Sequence, residues 1–150
     1  MACGCTQQPT PSDKSESTAS RSLAGKRNLA DDERRGGHTL KRHVRKSDME
    51  LRNRLETEPN ISVASTYTDR NTAELVVGEA ISSNHGRIDR WLHLVGGHPN
   101  LVLDYNGRES IGRSLTRGLS ESRPCSRAIV VLKWLENDDF VVLTSYPECR

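Results

Sequence analysis

The sequence predicts an α+β domain in which helices come first and a largely antiparallel sheet comes last. Three observations carry that prediction. Apolar residues at helical spacing occupy the stretch from Ser47 to Val95. β-rich runs of alternating character fill the stretch from Leu101 to Tyr146. The links between those runs are short and built from turn residues, as in Asn106-Gly107 and Glu136-Asn137-Asp138-Asp139.

The first helix begins at a capping box, Ser47-Asp48-Met49-Glu50, whose Ser and Glu satisfy two orphan backbone donors reciprocally. Leu51 and Leu55 share one face, and Pro59 ends the helix. A second helix starts near Thr68-Asp69, with an apolar stripe of Ala73, Val76, Val77, Ala80 and Ile81. A third follows Gly86, carries Ile88, Trp91, Leu92 and Val95, and ends at Gly96-Gly97. Leu101 to Asn106 reads as a strand turning at Asn106-Gly107, with Ile111 to Leu115 as its candidate partner. Arg127 to Leu135 and Phe140 to Tyr146 read as a second hairpin. Period-two alternation there places Phe140, Val142, Thr144 and Tyr146 on one face and Val141, Leu143 and Ser145 on the other.

Composition divides the chain in two. Of its 150 residues 33% are hydrophobic and 4% aromatic, and no aromatic residue precedes Tyr67. Residues 1–35 therefore read as a polar leader or tether, disordered or weakly helical, with at most a turn or two through Leu23, Ala24, Leu29 and Ala30. Residues 36–150 read as the folded domain. Met1-Ala2-Cys3-Gly4-Cys5, followed by a Ser/Thr/Pro-rich stretch, resembles the end of a bacterial lipoprotein signal. On that reading Cys3 or Cys5 carries the lipid, and the protein is exported to the cell envelope or secreted. On the other reading the likeness is accidental. No apolar run is long enough to cross a membrane.

The balance of 22 basic and 20 acidic residues, a formal net charge of +2, does not diagnose a nucleic-acid partner. Local patterning is more specific. Lys41, Arg42, His43, Arg45 and Lys46 make a dense basic run, suited to an anionic ligand and equally to a solvated face. Four cysteines form no CxxC pair, which disfavours a zinc ribbon. Cys125 and Cys149 are compatible with one disulfide in an exported protein and equally with two free thiols. His38 and His43 are five apart, a poor helical spacing for shared metal ligation, and neither a Walker loop nor a GxSxG elbow is present. The sequence therefore implies no metal and no cofactor.

A histidine among lysines and arginines has its neutral form favoured, which suits a general base near neutral pH. The plainer alternative is that His43 is a half-buried residue ahead of a helix cap. Thr144 and Tyr146 present two hydroxyls side by side, suited to a base edge or a phosphate oxygen, and equally to an ordinary sheet edge. Spacing alone leaves these readings open.

Gly36-Gly37-His38-Thr39-Leu40-Lys41-Arg42-His43-Val44 is followed by Ser47-Asp48, Glu50-Leu51, Arg54-Leu55 and Pro59-Asn60-Ile61-Ser62. Ala64-Ser65-Thr66-Tyr67-Thr68-Asp69-Arg70, Thr72-Ala73 and Val142-Leu143-Thr144-Ser145-Tyr146-Pro147 complete an ordered set. Together, from Gly36 to Glu148, these residues resemble the pancreatic-ribonuclease-like toxin domain at the C-terminus of contact-dependent growth inhibition proteins. The resemblance implies the kidney-shaped α+β fold of the pancreatic enzymes without their disulfide framework. It also implies metal-independent RNA cleavage to a 2′,3′-cyclic phosphate, a cognate immunity protein, and action in the cytoplasm of a target cell. It assigns catalytic positions to His43, Arg54, Thr144 and Tyr146, and a further family position to His38. Periodicity does not separate Arg54 from Arg52, which flank the Leu51/Leu55 face symmetrically. Lys41, Arg42 and Lys46 would guide the RNA backbone. The competing reading is a non-catalytic envelope lipoprotein that binds RNA, an anionic polymer or a protein partner.

Overall fold

A computed structural model describes residues 25–149. Cys3 and Cys5, and the helical turn expected at Leu23 and Ala24, lie outside the described residues. The helices are α1 (Leu29–Arg34), α2 (Thr39–His43), α3 (Asp48–Thr57), α4 (Arg70–Ser83) and α5 (His85–Leu92). The strands are β1 (Val63–Tyr67), β2 (Leu101–Asn106), β3 (Gly112–Thr116), β4 (Arg123–Cys125), β5 (Arg127–Leu135) and β6 (Asp139–Glu148). They form two antiparallel three-stranded sheets, β1-β3-β4 and β2-β5-β6.

Local chemistry accounts for several boundaries. The capping box at the start of α3 forms as expected: Glu50 N–H donates to Ser47 Oγ, and Ser47 N–H donates to the Glu50 carboxylate. Asp69 caps α4 by accepting from Thr72 N–H at 2.7 Å. The α4 stripe is buried through Ala73, Val76, Val77 and Ala80 and joins Tyr67, Ile88, Trp91, Leu103 and Val130 in the main core. Leu51 and Leu55 of α3 meet Ala64 and Leu115 in a second, smaller core.

Four expectations are corrected. The third helix stops at Leu92, short of Gly96-Gly97, and Val95 is fully exposed, because the chain leaves the helix before that residue could turn inward. Leu101–Asn106 does not pair with the strand at residues 112–116. β2 instead pairs with β5, and β3 pairs with β1 and β4. β1 has no counterpart in the sequence reading. Its residues Ala64 to Tyr67 are all buried, and polar Ser65 and Thr66 hide the alternation that identifies a half-exposed strand.

The fourth correction concerns β6. Val131 pairs with Thr144 but Leu132 pairs with Val142, so Leu143 is an extra residue on β6, a β-bulge. Because side chains alternate along β5, Thr144 and Tyr146 lie on the face opposite Val142. The single face expected for Phe140, Val142, Thr144 and Tyr146 is broken at the bulge. Val142 enters the main core, and Ser145 turns to bond the Tyr67 hydroxyl at 2.5 Å.

Residues 25–35, assigned by composition to the leader, are packed against the domain. Leu29 is fully buried in the main core. Asp32, 1% exposed, accepts from Arg27 Nε and Nη2 at 2.8 and 2.7 Å and from Val142 N–H at 3.0 Å. Arg27 also lies over the Phe140 ring, 5.0 Å from its centroid. One apolar side chain and one tethered carboxylate hold this segment, which averaged composition does not register. Two glycines let the backbone lie close: a Cβ on Gly37 would overlap the Val142 carbonyl oxygen, and one on Gly78 would overlap that of Gly25.

Cys125 and Cys149 are joined in a disulfide with a Cα–Cα distance of 4.8 Å, tying β4 of one sheet to the segment just after β6 of the other. With a sequence separation of 24, loop closure predicts that the Cys125→Ser/Cys149→Ser double variant is destabilised by about 3 kcal/mol in urea denaturation. Asp32→Ala strands Arg27 and the Val142 N–H. The same measurement is expected to show a loss of about 2–4 kcal/mol, below the full cost of a stranded buried charge because Arg27 reaches solvent.

Candidate active site

Three elements converge beside the bulge. α2 enters from Gly37, and His38 N–H donates to Leu143 O of the bulge at 3.0 Å. His43 ends α2, and the next residues run beside β1: Val44 bridges Tyr67, Arg45 N–H donates to Tyr67 O, and Lys46 N–H donates to Thr66 Oγ1. Arg45 takes a φ of 54°, in the left-handed region disfavoured for a non-glycine residue. This bend sends the chain from α2 toward the cap of α3, which carries Arg54.

His43 is 6% exposed. Its Nδ1 lies 3.3 Å from Ser65 O of β1 and 3.5 Å from Arg54 Nη1. A carbonyl only accepts and a guanidinium only donates, so Nδ1 serves one of them at a time. Assigning the proton to Nδ1, on the shorter contact, bonds it to Ser65 and leaves the lone pair on Nε2. The Tyr146 ring lies 5.4 Å from the imidazole, tilted by 38°. Burial above all, then the positive charges of Arg54, Arg42 and His38, push the His43 pKa down to about 3, with the Ser65 bond opposing them. His38, at the start of α2, is also lowered, first by burial and then by Arg42.

Arg54 is held on its other side by Glu58, whose Oε1 accepts from Arg54 Nε at 3.1 Å. The same carboxylate accepts from Arg42 Nη2 at 2.7 and 2.9 Å. Burial acts to raise the Glu58 pKa, but the bond and charge of Arg54 and the charge of Arg42 prevail and hold it below the ordinary value. Lys41, Arg42, Lys46 and Arg54 line a groove of about 330 Å³ between α2 and α3. A larger depression of about 1160 Å³ contains none of these residues and carries Glu79 and Glu109. Chemistry rather than size marks the smaller groove as the candidate site.

The structure thus brings His43, Arg54 and Tyr146 together and sets His38 within electrostatic reach of Arg42 and Arg54. Thr144 shares the face of Tyr146, and its Oγ1 is buried with no hydrogen-bond partner among the described residues. Of the basic run, Arg42 is engaged by Glu58 and Lys46 by Glu50, while Lys41 is exposed. Sequence reasoning missed Ser65 and Glu58. The four-residue spacing of Arg54 and Glu58 on one helix was the available signal for the second. Among the described residues, no group of three His, Cys, Asp or Glu side chains is arranged to hold a metal ion.

An α+β domain in which a buried imidazole lies beside a phenol ring and a guanidinium, the last lining a basic groove, has the chemistry of a phosphodiester-directed enzyme. The profile of the bacterial CdiA-CT RNAse A domain matches residues 37–147. A solved CdiA-CT/CdiI complex from Y. kristensenii 33638 is similar at 35% identity with a TM-score of 0.68, covering 75% of this chain and all of that one. No curated protein matches the chain. The chain belongs to the bacterial CdiA-CT RNAse A domain family, the ribonuclease toxin domains of contact-dependent growth inhibition. The α+β fold implied by the resemblance is present, with the Cys125–Cys149 disulfide as an addition to it.

The pKa of His43 gives a pH prediction with a definite sign. Its folded value, about 3, lies below the ordinary 6.5, so the unfolded chain binds the proton first. The stability contributed is complete above pH 6.5 and is lost as the pH falls toward 3. NMR titration is expected to show this imidazole neutral well below pH 6, while acid unfolding is shifted to lower pH in His43→Gln.

Proposed function

We propose that this domain cleaves RNA without a metal, by attack of the substrate's own 2′-hydroxyl on the adjacent phosphate. What supports this reading is the convergence of His43, Arg54 and Tyr146 from three separate elements. The nucleophile is already in the substrate, so the protein need only move protons and stabilise charge. His43 Nε2 takes the 2′-hydroxyl proton as the new O–P bond forms. Arg54 offers its fork to the non-bridging oxygens of the phosphorane-like transition state. The bond to the 5′-oxygen then breaks, with Tyr146 as the partner acid, leaving a 2′,3′-cyclic phosphate and a 5′-hydroxyl. Thr144, with its unpaired hydroxyl, orients the phosphate or a base edge. Lys41, Arg42 and Lys46 carry the neighbouring backbone.

A pKa of about 3 is low for a base working near neutrality. Burial is its first cause and stays in place, but the charge of Arg54 is the second, and a bound phosphate neutralises it. The imidazole therefore gains basicity when RNA occupies the groove. The similar solved structure is a complex of CdiA-CT with CdiI, and we extend to this chain a cognate immunity protein that binds it. Its place of action is the cytoplasm of a target cell. Among the described residues no helix is long and apolar enough to cross a membrane.

Purified protein with RNA and excess chelator is expected to yield 2′,3′-cyclic phosphate ends and to leave DNA of the same sequence intact. His43→Ala should lower the rate by about 10²- to 10⁴-fold. Binding without cleavage would instead favour the non-catalytic reading, and a larger loss in His38→Ala would move the base to that residue.

A further inference from the structure

Glu58 is outside the set of residues to which the resemblance assigns a role, yet it sits at the junction of the two helices that build the site. It is the C-cap of α3, and its own N–H donates to Arg54 O at 2.9 Å, so its backbone is set by the helix it ends. Arg117 Nη2 clamps the same corner, donating to Glu58 O at 3.1 Å and Ile61 O at 2.8 Å. From this fixed base the carboxylate reaches two guanidiniums. One belongs to Arg42, the residue before His43 on α2, and the other to Arg54 on α3.

We propose that Glu58 is a positioning residue for RNA cleavage: its carboxylate, braced by Arg42 of α2, holds the Arg54 fork in register with His43. This rests on the ribonuclease reading above. Arg54 is bonded at Nε by Glu58, and its Nη1 lies 3.5 Å from an imidazole nitrogen whose proton goes to Ser65 O, so the hydrogens of Nη1 and Nη2 are left to meet phosphate oxygens. A long side chain fixed in this way loses little freedom when the transition state forms. Without the carboxylate, two like charges face each other across the groove with nothing to hold them there.

The charge of Glu58 makes the inference discriminating. A carboxylate beside a phosphate site opposes anion binding, so a purely electrostatic role predicts that its removal tightens binding and speeds cleavage. A positioning role predicts the opposite for kcat. With the whole chain and a dinucleoside monophosphate substrate, Glu58→Gln is expected to lower kcat by about 10- to 100-fold with KM unchanged or reduced. Glu58→Asp, which keeps the charge on a shorter stem, regains part of the loss. In an Arg54→Ala background, Glu58→Gln changes kcat by less than about two-fold, because its effect passes through Arg54.

An unchanged or raised kcat in Glu58→Gln overturns the proposal. So does a full-sized loss in the Arg54→Ala background, or an Asp variant no better than the Gln variant, since each assigns the effect to the fold. Failure of the wild-type protein to cleave RNA overturns the ribonuclease reading itself. The Arg54 Nε–H NMR signal tests the contact independently of cleavage: it is expected to be sharp and slowly exchanging in the wild type and lost in Glu58→Gln. The same signal in both proteins would overturn the role of Glu58 alone.

Discussion

The carboxylate of Asp32 is the contact on which the arrangement of the site depends. It is buried, bonded to the Arg27 guanidinium on one side and to the Val142 N–H on the other. Through it the N-terminal helix is fastened to the outer edge of β6 at the point where that strand bulges. The next backbone contact, from His38 N–H to Leu143 O, starts α2 against the same edge. Gly37 lets the two backbones approach, since any side chain there would meet the Val142 carbonyl. An exposed edge strand is a template for unwanted pairing, and here the helical segment covers it while setting where His43 falls.

From that anchor the site follows by short steps. α2 is only five residues long, so a helix begun at β6 ends at β1, and His43 is buried between them with Ser65 O beneath it. The bulge turns Thr144 and Tyr146 away from the core face that Val142 occupies, and Tyr146 meets the imidazole. Burial and guanidinium charge then keep that imidazole neutral. The arrangement loses stability at low pH and leaves an unprotonated nitrogen beside a cation, the pairing that the proposed proton transfer would use.

Features governed by neighbouring residues were legible in the sequence. The Ser47/Glu50 box, the apolar stripe of α4 and the β5–β6 hairpin each rest on contacts within a few residues, and each is present. Strand β1 was not legible, because it is covered on both faces and buries Ser65 and Thr66 through backbone and hydroxyl bonds. The pairing of β2 was misread for a related reason. Sequence adjacency favours the nearest strand, whereas β2 takes β5 and leaves β3 to complete the sheet behind α3. The short helix α1 was expected as a turn through Leu29 and Ala30, but its packing on the domain was not, because composition averages over a segment that a single leucine and a single carboxylate hold in place.

The sequence by itself determined the α+β order and the helix caps, and the likeness of its ordered motifs to a known family, not periodicity, marked His43, Arg54, Thr144 and Tyr146. These are matters of residue type and short-range spacing, which a chain carries whether or not it is folded. Tertiary structure, and not spacing, sets Arg54 rather than Arg52 beside the imidazole, as the two are equivalent about the Leu51/Leu55 face until α2 packs on one side. It decided the disulfide, because pairing requires two Cα atoms 4.8 Å apart from separate sheets. It also decided which way Tyr146 points, since one inserted residue in β6 reverses the face and no local rule places that insertion.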